Sequence, residues 1–387
     1  MASISGRGVA LSTAKRDLLI VTNDFPPRQG GIQSFVFELA RRLPAERVAV
    51  YCSTYPGAAA FDDQLDFPVI RHRTGLLVPT PAARRRVVET ARELGSRSAW
   101  FGAAAPLGLL APALRKVGVG RQVASTHGHE VGWAMLPGAR QALRRIGTAV
   151  DVVTYLGPYT ERRLRGALGP RATLAQLTPG VDIETFNAQI SGVRVRERFG
   201  LTGRPVIVCV SRLVPRKGQD ALIAALPAIR EQVPGAALLL VGRGPYENSL
   251  RRQASMLGIA DDVIFTGGVE AAELSEHFAA GDVFAMPCRT RRLGMDVEGL
   301  GIVFLEASAM GLPVIAGDSG GAPDAVVDGQ TGTVVDGRAE SEIVAAAVGL
   351  LSDREMARAF GAAGRKWVEQ RWQWDAIADR LAVLLQL

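Results

Sequence analysis

Two glutamates, Glu298 and Glu306, stand eight positions apart in DVEGLGIVFLEASAMG (296–311), with Gly-Leu-Gly and then an apolar run between them. A carboxylate just before a glycine turn can accept hydrogen bonds from ligand hydroxyls, and Gly299 and Gly301 let the backbone approach that ligand. The stretch predicts a helix whose N-terminus is formed by Gly299, Leu300, Gly301 and Ile302 and which runs to Met310. Glu306, near its middle, would reach the ligand's other end. The plain alternative is a solvated helix residue, but its neighbours Val303, Phe304, Leu305 and Ala307 are apolar.

A second group of chemistry-bearing residues is cationic. SRLVPRKGQD (211–220) places Arg212, Arg216 and Lys217 in a loop after an apolar strand. The planar fork of arginine and the mobile charge of lysine suit a diphosphate; a solvated basic loop is the alternative. NDFPPRQGGIQ (23–33) puts Gly30 and Gly31 at a helix start, where free N–H groups and the helix dipole favour an anion, although a tight turn needs the same residues. His127, in STHGHEVGW (125–133), follows a β-rich run and so belongs at a strand's carboxyl end. VGRGPYE (241–247) has a G-x-G after a strand, but Glu247 stands where a dinucleotide fingerprint needs Gly or Ala, so NAD is set aside.

These loops need strands and helices to hold them. DLLIVTND (17–24), RVAVYCS (47–53), QVAST (122–126) and DVVTYL (151–156) read as strands, with a helix over Ile32–Leu43. After a polar break the pattern restarts with PVIVCVS (205–211), AALLLVG (236–242), VIFTG (263–267), VFAMP (283–287) and PVIAG (313–317). Alternating strands and helices imply parallel sheets covered on both faces, here as two Rossmann-like doubly wound domains facing across a cleft. The expected division is a flexible extension over 1–16, a first domain over 17–190, a linker region over 191–203 and a second domain over 204–366. The last stretch, 367–387, reads as an amphipathic helix that packs back on the first domain.

Bulk composition narrows the partners. Net charge is 45 − 38 = +7, with 24 − 14 = +10 in residues 1–190 and 21 − 24 = −3 in the remainder. The positive half suits an anionic substrate or an anionic membrane surface. Aromatic residues are only 6%, with no stacking platform, so nucleic acid is not expected as a partner. No apolar run reaches the roughly eighteen residues of a membrane span, and the N-terminus lacks a signal-peptide apolar core. Cys52, Cys209 and Cys288 are far apart and read as reduced thiols of a cytoplasmic protein.

Taken in order, GG at 30–31, PGVD…F at 179–186, SRLVPRKGQ at 211–219, Glu298…Glu306 and ASAMGLPVIAG at 307–317 resemble glycosyltransferase family four. That resemblance covers the chain from about residue 17. It implies the GT-B fold and retaining sugar transfer from a nucleotide donor. VTNDFPPRQGGIQS, WFGAAAPL, STHGHEVGWAMLPG and DVEGLGIVFLEA narrow it to the branch that moves an α-mannosyl group from GDP-mannose to phosphatidylinositol monomannoside through an α-1,6 linkage. Arg291-Arg292-Leu293 departs from the glycine-rich loop expected at the rim of the donor pocket.

The resemblance also implies roles. Arg212 and Lys217 would clamp the donor diphosphate, Gly30 and Gly31 would close on it from the first domain, and Glu298 would hold the mannose hydroxyls. Gly299, Leu300, Gly301 and Ile302 would give backbone N–H groups to sugar and phosphate, Glu306 would bond the ribose, and Val269 would meet the guanine through its backbone. His127 would contact the reacting sugar. The chain has no D-x-D motif to hold a divalent metal, so no metal or other cofactor is expected. WAMLPGARQALRRIG (133–147) sets Trp133, Leu136, Leu143 and Ile146 beside Arg140, Arg144 and Arg145. An ordinary core-facing helix would show the same pattern, but the lipid acceptor implied by resemblance favours docking on the inner face of the plasma membrane, with Arg84, Arg85 and Arg86 adding to the field. The alternatives are a family member with another donor or a soluble acceptor, a GT-B nucleotide-sugar epimerase, and a nucleotide-binding module without catalysis.

Overall fold

The computed structural model describes residues 15–387, so the expected extension lies outside the described residues apart from Lys15 and Arg16. The first sheet has seven parallel strands: β1 Leu18–Thr22, β2 Val48–Cys52, β3 Val69–Arg71, β4 Ser98–Phe101, β5 Arg121–Ser125, β6 Val152–Tyr155 and β7 Leu174–Gln176, in the order β3-β2-β1-β4-β5-β6-β7. The second has six: β8 Val206–Val210, β9 Ala237–Val241, β10 Val263–Gly267, β11 Val283–Met286, β12 Val314–Gly317 and β13 Gly332–Val335, in the order β10-β9-β8-β11-β12-β13. The central strands β1, β2, β8 and β9 are buried at every position, as parallel strands covered on both faces must be.

Alternation along the strands divides the first domain's core into two layers. Leu19, Val21, Ala49 and Tyr51 face the helices Pro81–Leu94, Pro137–Ala149 and Pro158–Leu168. Leu18, Ile20, Val48 and Val50 face the other way, towards Gly31–Ala40 and the terminal helix Trp374–Leu385. Trp374, Ile377, Ala378, Leu381 and Leu385 are all buried there. The chain thus enters the second domain and later returns. The outgoing and returning segments run side by side: Val181 N–H donates to Trp372 O at 2.6 Å, and Val181 pairs in parallel with Gln373. A Cβ on Gly180 would lie 2.7 Å from Trp374 N, so only glycine lets the segments meet.

The structure departs from sequence expectation in several places. β3, β4, β7 and β13 were not foreseen; each has only three or four residues. The first helix spans Gly31–Ala40 instead of Ile32–Leu43. The stretch 133–147 is not one helix. It breaks at Leu136, whose backbone is extended (φ −101°, ψ 126°), because Pro137 disfavours a helical residue before it. Leu143 and Ile146 are buried in the core, while Leu136 is 53% exposed, so the expected continuous apolar face is split. Cys52, Cys209 and Cys288 are buried free thiols, and burial pushes each up to about 12.

Candidate functional site

In both sheets the strand order reverses once, between β1 and β4 and between β8 and β11. Loops leaving the carboxyl ends of strands flanking such a reversal form a crevice where ligands bind in open parallel sheets. The chain places its singled-out residues on these loops. Gly30 and Gly31 follow β1; Arg212, Arg216 and Lys217 follow β8; Glu298 to Gly301 follow β11.

The centre of the second-domain site is Glu298, which is only 6% exposed. Its Oε2 lies 2.7 Å from Lys217 Nζ and 3.5 Å from Arg216 Nε. Burial raises its pKa, but the Lys217 ammonium and then the Arg216 guanidinium outweigh burial and hold the carboxyl below the ordinary range. Lys217 is brought there by the short 3-10 turn Pro215–Lys217, which ends at Gly218 with φ 79°. A Cβ on Gly218 would sit 2.1 Å from Pro287 O, which fixes the choice of glycine. Arg212 is exposed and makes no ion pair among the described residues. Arg216 takes the place beside Glu298 instead and also reaches Asp296 at 3.5 Å. The sequence put three cations in this loop without showing which would turn inward.

The helix after Glu298 is shorter than expected. It spans Ile302–Ala309, with Gly301 as its N-cap at φ 80°. Gly299 to Gly301 therefore form a loop before the helix and not its first turn. Among the described residues, no group accepts a hydrogen bond from the N–H of Gly299, Leu300, Gly301 or Ile302. This leaves donors free for an anion or a hydroxyl. Glu306, on the same helix, is half-buried, and among the described residues no cation or hydrogen-bond donor stands against its carboxylate. Burial alone pushes it up to about 7. Val269 is partly buried at the edge of the second domain's core, two residues after β10.

The first domain closes on this site. A Cβ on Gly128 would lie 2.8 Å from Gly299 Cα, and one on Gly299 would lie 2.7 Å from His127 O. Ile302 packs against the cores of both domains. The His127 ring sits edge-on to Phe35 with centroids 4.9 Å apart, and its Nε2 is 2.5 Å from Gly102 O. A carbonyl only accepts, so Nε2 carries the proton and Nδ1 keeps its lone pair. Burial lowers the His127 pKa, with the Glu130 carboxylate opposing. Glu130 is fully buried, accepts the His127 N–H at 3.0 Å and lies 3.2 Å from His129 Nε2, so it fixes the turn that presents His127. On the β1 loop, Gly30 and Gly31 are exposed, and Gln33 is tied to Asp24 at 2.7 Å.

The remaining sequence candidates lie away from this cleft chemistry. Arg84, Arg85, Arg86, Arg140, Arg144 and Arg145 are exposed on the helices covering one face of the first sheet, and Trp133 is half-buried among them. The loop carrying Arg291, Arg292 and Leu293 is pinned at its base by Arg291 and Asp296, which pair in antiparallel fashion. Its tip, Leu293, is 94% exposed at φ 55°. The described residues include no group of three His, Cys, Asp or Glu able to hold a metal ion, and no helix long and apolar enough to cross a membrane.

Comparison with known proteins matches a family model to each half of the chain. Residues 29–185 match Glycosyltransferase Family 4, and residues 194–367 match Glycosyl transferases group 1. A GDP-mannose-dependent alpha-(1-6)-phosphatidylinositol monomannoside mannosyltransferase of Mycobacterium tuberculosis is 54% identical over 95% of this chain and 98% of its own. A GDP-mannose-dependent monoacylated alpha-(1-6)-phosphatidylinositol monomannoside mannosyltransferase of Corynebacterium glutamicum is 47% identical over 97% and 99%. Among solved structures, Anabaena HepE in complex with UDP and glucose superposes with a TM-score of 0.81 at 20% identity, over 96% of this chain and 99% of that one. At that identity the likeness speaks for the fold. With both halves matched and the relatives aligned almost end to end, the chain belongs to the family-four, group-one glycosyltransferases of GT-B fold.

Proposed function

We propose that this enzyme transfers an α-mannosyl group from GDP-mannose to phosphatidylinositol monomannoside, retaining configuration at the anomeric carbon. The observation that carries the reading is 54% identity to an enzyme of that activity through both domains, so the acceptor loops are included as well as the donor loops.

Breaking a sugar–phosphate bond builds negative charge on the leaving diphosphate and positive character on the sugar ring. Fixed charges and donors aimed at those positions stabilise the transition state because they need no reorganisation. Lys217 and Arg212 take the diphosphate, joined by the free N–H groups of Gly299 to Ile302, with Gly30 and Gly31 approaching from the first domain. Glu298 accepts hydrogen bonds from the mannose hydroxyls. Its carboxylate is ionised and immobile because Lys217 and Arg216 hold it, and that orients the sugar before reaction. Glu306 accepts from the ribose, and the Val269 backbone meets the base. His127, neutral with Nδ1 unprotonated, accepts from a hydroxyl of the reacting mannose. The cations and backbone donors carry the leaving-group charge in this scheme, without a metal.

A lipid acceptor brings the enzyme to a membrane surface. The helices Pro81–Leu94, Ala111–Arg115, Pro137–Ala149 and Pro158–Leu168 pack on one side of the first sheet. Their outer surfaces carry exposed Arg84, Arg85, Arg115, Arg144, Arg145 and Arg163. Arg144 and Arg145 line a groove of about 750 Å³ with Leu109, Pro112 and Ala149. A cationic face with apolar recesses suits peripheral docking on an anionic leaflet.

The test is a mass-spectrometric transfer assay with phosphatidylinositol monomannoside and, separately, GDP-mannose or UDP-glucose. One added hexose with GDP-mannose alone is expected. No lipid product with either donor moves the function to another acceptor, and a changed free nucleotide sugar points to an epimerase.

A further inference from the structure

The helix Pro158–Leu168 begins at the carboxyl end of β6, so its first turn faces the second domain. Its N-cap is Gly157, which has no side chain to satisfy the free N–H groups of that turn. Thr160 Oγ1 accepts from the N–H of Leu156 and Gly157 at 3.2 and 3.1 Å. The Tyr159 N–H is satisfied from across the cleft: it donates to Asp324 Oδ2 at 3.1 Å, over a separation of 165 residues. A carboxylate at this end also meets the positive pole of the helix. The fit depends on Gly157, because a Cβ there would lie 2.5 Å from Asp324 Oδ2.

On its own side of the cleft, Asp324 belongs to the turn that holds the backbone of Glu298. Ser319 Oγ accepts the Glu298 N–H at 3.3 Å, Gly321 N–H donates to Glu298 O at 2.9 Å, and Asp324 N–H donates to Gly321 O at 3.0 Å. The packing is close: a Cβ on Gly320 would sit 2.1 Å from Glu298 O, and one on Gly321 would sit 2.1 Å from Gly299 O. One short turn therefore touches the first domain through Asp324 and the donor glutamate through Ser319 and Gly321.

We infer that Asp324 is a positioning residue that couples docking of the first domain to the placement of Glu298, so that the sugar-holding carboxylate is set for transfer only when the acceptor domain is seated. The inference rests on the reading of Glu298 given above. In the assignment above, Arg212, Lys217, Glu298 to Ile302, Glu306 and Val269 hold the donor from the second domain, and Gly30, Gly31 and His127 join from the first domain only when it is seated for transfer. Transfer needs both domains. The contact therefore acts on turnover and leaves donor affinity alone, the separation expected of an interaction made only on the way to the transition state.

The experiment measures turnover with GDP-mannose and the lipid acceptor beside GDP-mannose affinity by calorimetry, with thermal unfolding as the folding control. Asp324→Ala is expected to lower kcat about 10- to 100-fold with donor Kd unchanged within about twofold. Asp324→Asn, which keeps an oxygen acceptor for the Tyr159 N–H, recovers most of the loss. Gly157→Ala fills the carboxylate's place and reproduces the Asp324→Ala defect. The double variant is no worse than either single one, because both remove one contact. Wild-type kcat in Asp324→Ala, a parallel loss of donor affinity, or multiplying defects in the double variant would each overturn the coupling. Glu298→Gln, run alongside, separates the two claims. If it turns over normally, the role given to Glu298 fails. If it is inactive while Asp324→Ala is normal, only the coupling fails.

Discussion

Lys217 Nζ and Glu298 Oε2 lie 2.7 Å apart, joining the loop that leaves β8 to the loop that leaves β11. Both residues are nearly inaccessible, at 9% and 6% exposure, so neither charge is well hydrated. Removing one partner of such a pair costs more than the pair contributes, because the remaining charge stays desolvated. Glu298→Gln is expected to lower turnover by about 100-fold or more and to lower stability by about 1–3 kcal/mol, read by the transfer assay and by denaturant unfolding. Near-wild-type turnover would falsify the role assigned to Glu298.

The same pair sets an acid limit. The Glu298 pKa is depressed in the folded protein, so its contribution to stability is present above the ordinary carboxylate value and is lost as pH falls through the lower folded value. Unfolding midpoints taken between about pH 3 and pH 6, the range in which ordinary carboxylates titrate, are expected to fall less steeply towards acid in Glu298→Gln than in the wild type.

Glu306 behaves in the opposite sense. Its carboxyl is pushed up to about 7 by burial, so the folded state holds a proton that the unfolded chain has released. The stabilising effect of that proton is complete below the unfolded value and is lost as pH rises through about 7. If the ribose binds the carboxylate form, donor affinity improves over the same rise. Calorimetric titration of GDP-mannose across neutral pH is expected to show tighter binding on the alkaline side, and Glu306→Gln is expected to remove that dependence. A pH-dependent donor affinity that survives in Glu306→Gln would assign the proton elsewhere.

The cationic face of the first domain predicts salt-sensitive membrane binding. Sedimentation with vesicles containing anionic phospholipid should retain the protein at low salt and release it at high salt, because exposed charges are screened. Arg144→Glu with Arg145→Glu is expected to weaken binding at least about tenfold, at about 1 kcal/mol for each cation near the surface. Turnover on a water-soluble acceptor analogue should be little changed. Unaltered vesicle binding would move the docking surface elsewhere.

The positions of the donor loops were legible in the sequence because β8 and β11 are uninterrupted apolar strands and the residues after them have distinctive chemistry. Two Rossmann-like domains followed from two series of such strands, and GT-B architecture was implied by the family resemblance. The orientation of individual side chains was not legible. Arg212 and Arg216 are four residues apart in one loop, yet Arg216 reaches Glu298 and Arg212 faces outward. That choice is made by a 3-10 turn and one glycine with positive φ, which composition does not disclose. β4, with only Ser98 to Phe101, escaped notice although it flanks the first crevice and leads into Gly102, the acceptor for His127. Asp324 carried no signal because its partner is 165 residues away.

The terminal helix has a consequence for biosynthesis. Trp374, Ile377, Leu381 and Leu385 complete a hydrophobic layer whose other members begin at Leu18. Domains generally fold as they emerge from the ribosome, N-terminal first. Here the earlier domain must wait, with Leu18, Ile20 and Phe35 incompletely covered, until the rest of the chain has been translated. The domain made first is the domain finished last, and a nascent chain arrested before Trp374 would expose an apolar layer for chaperones to recognise.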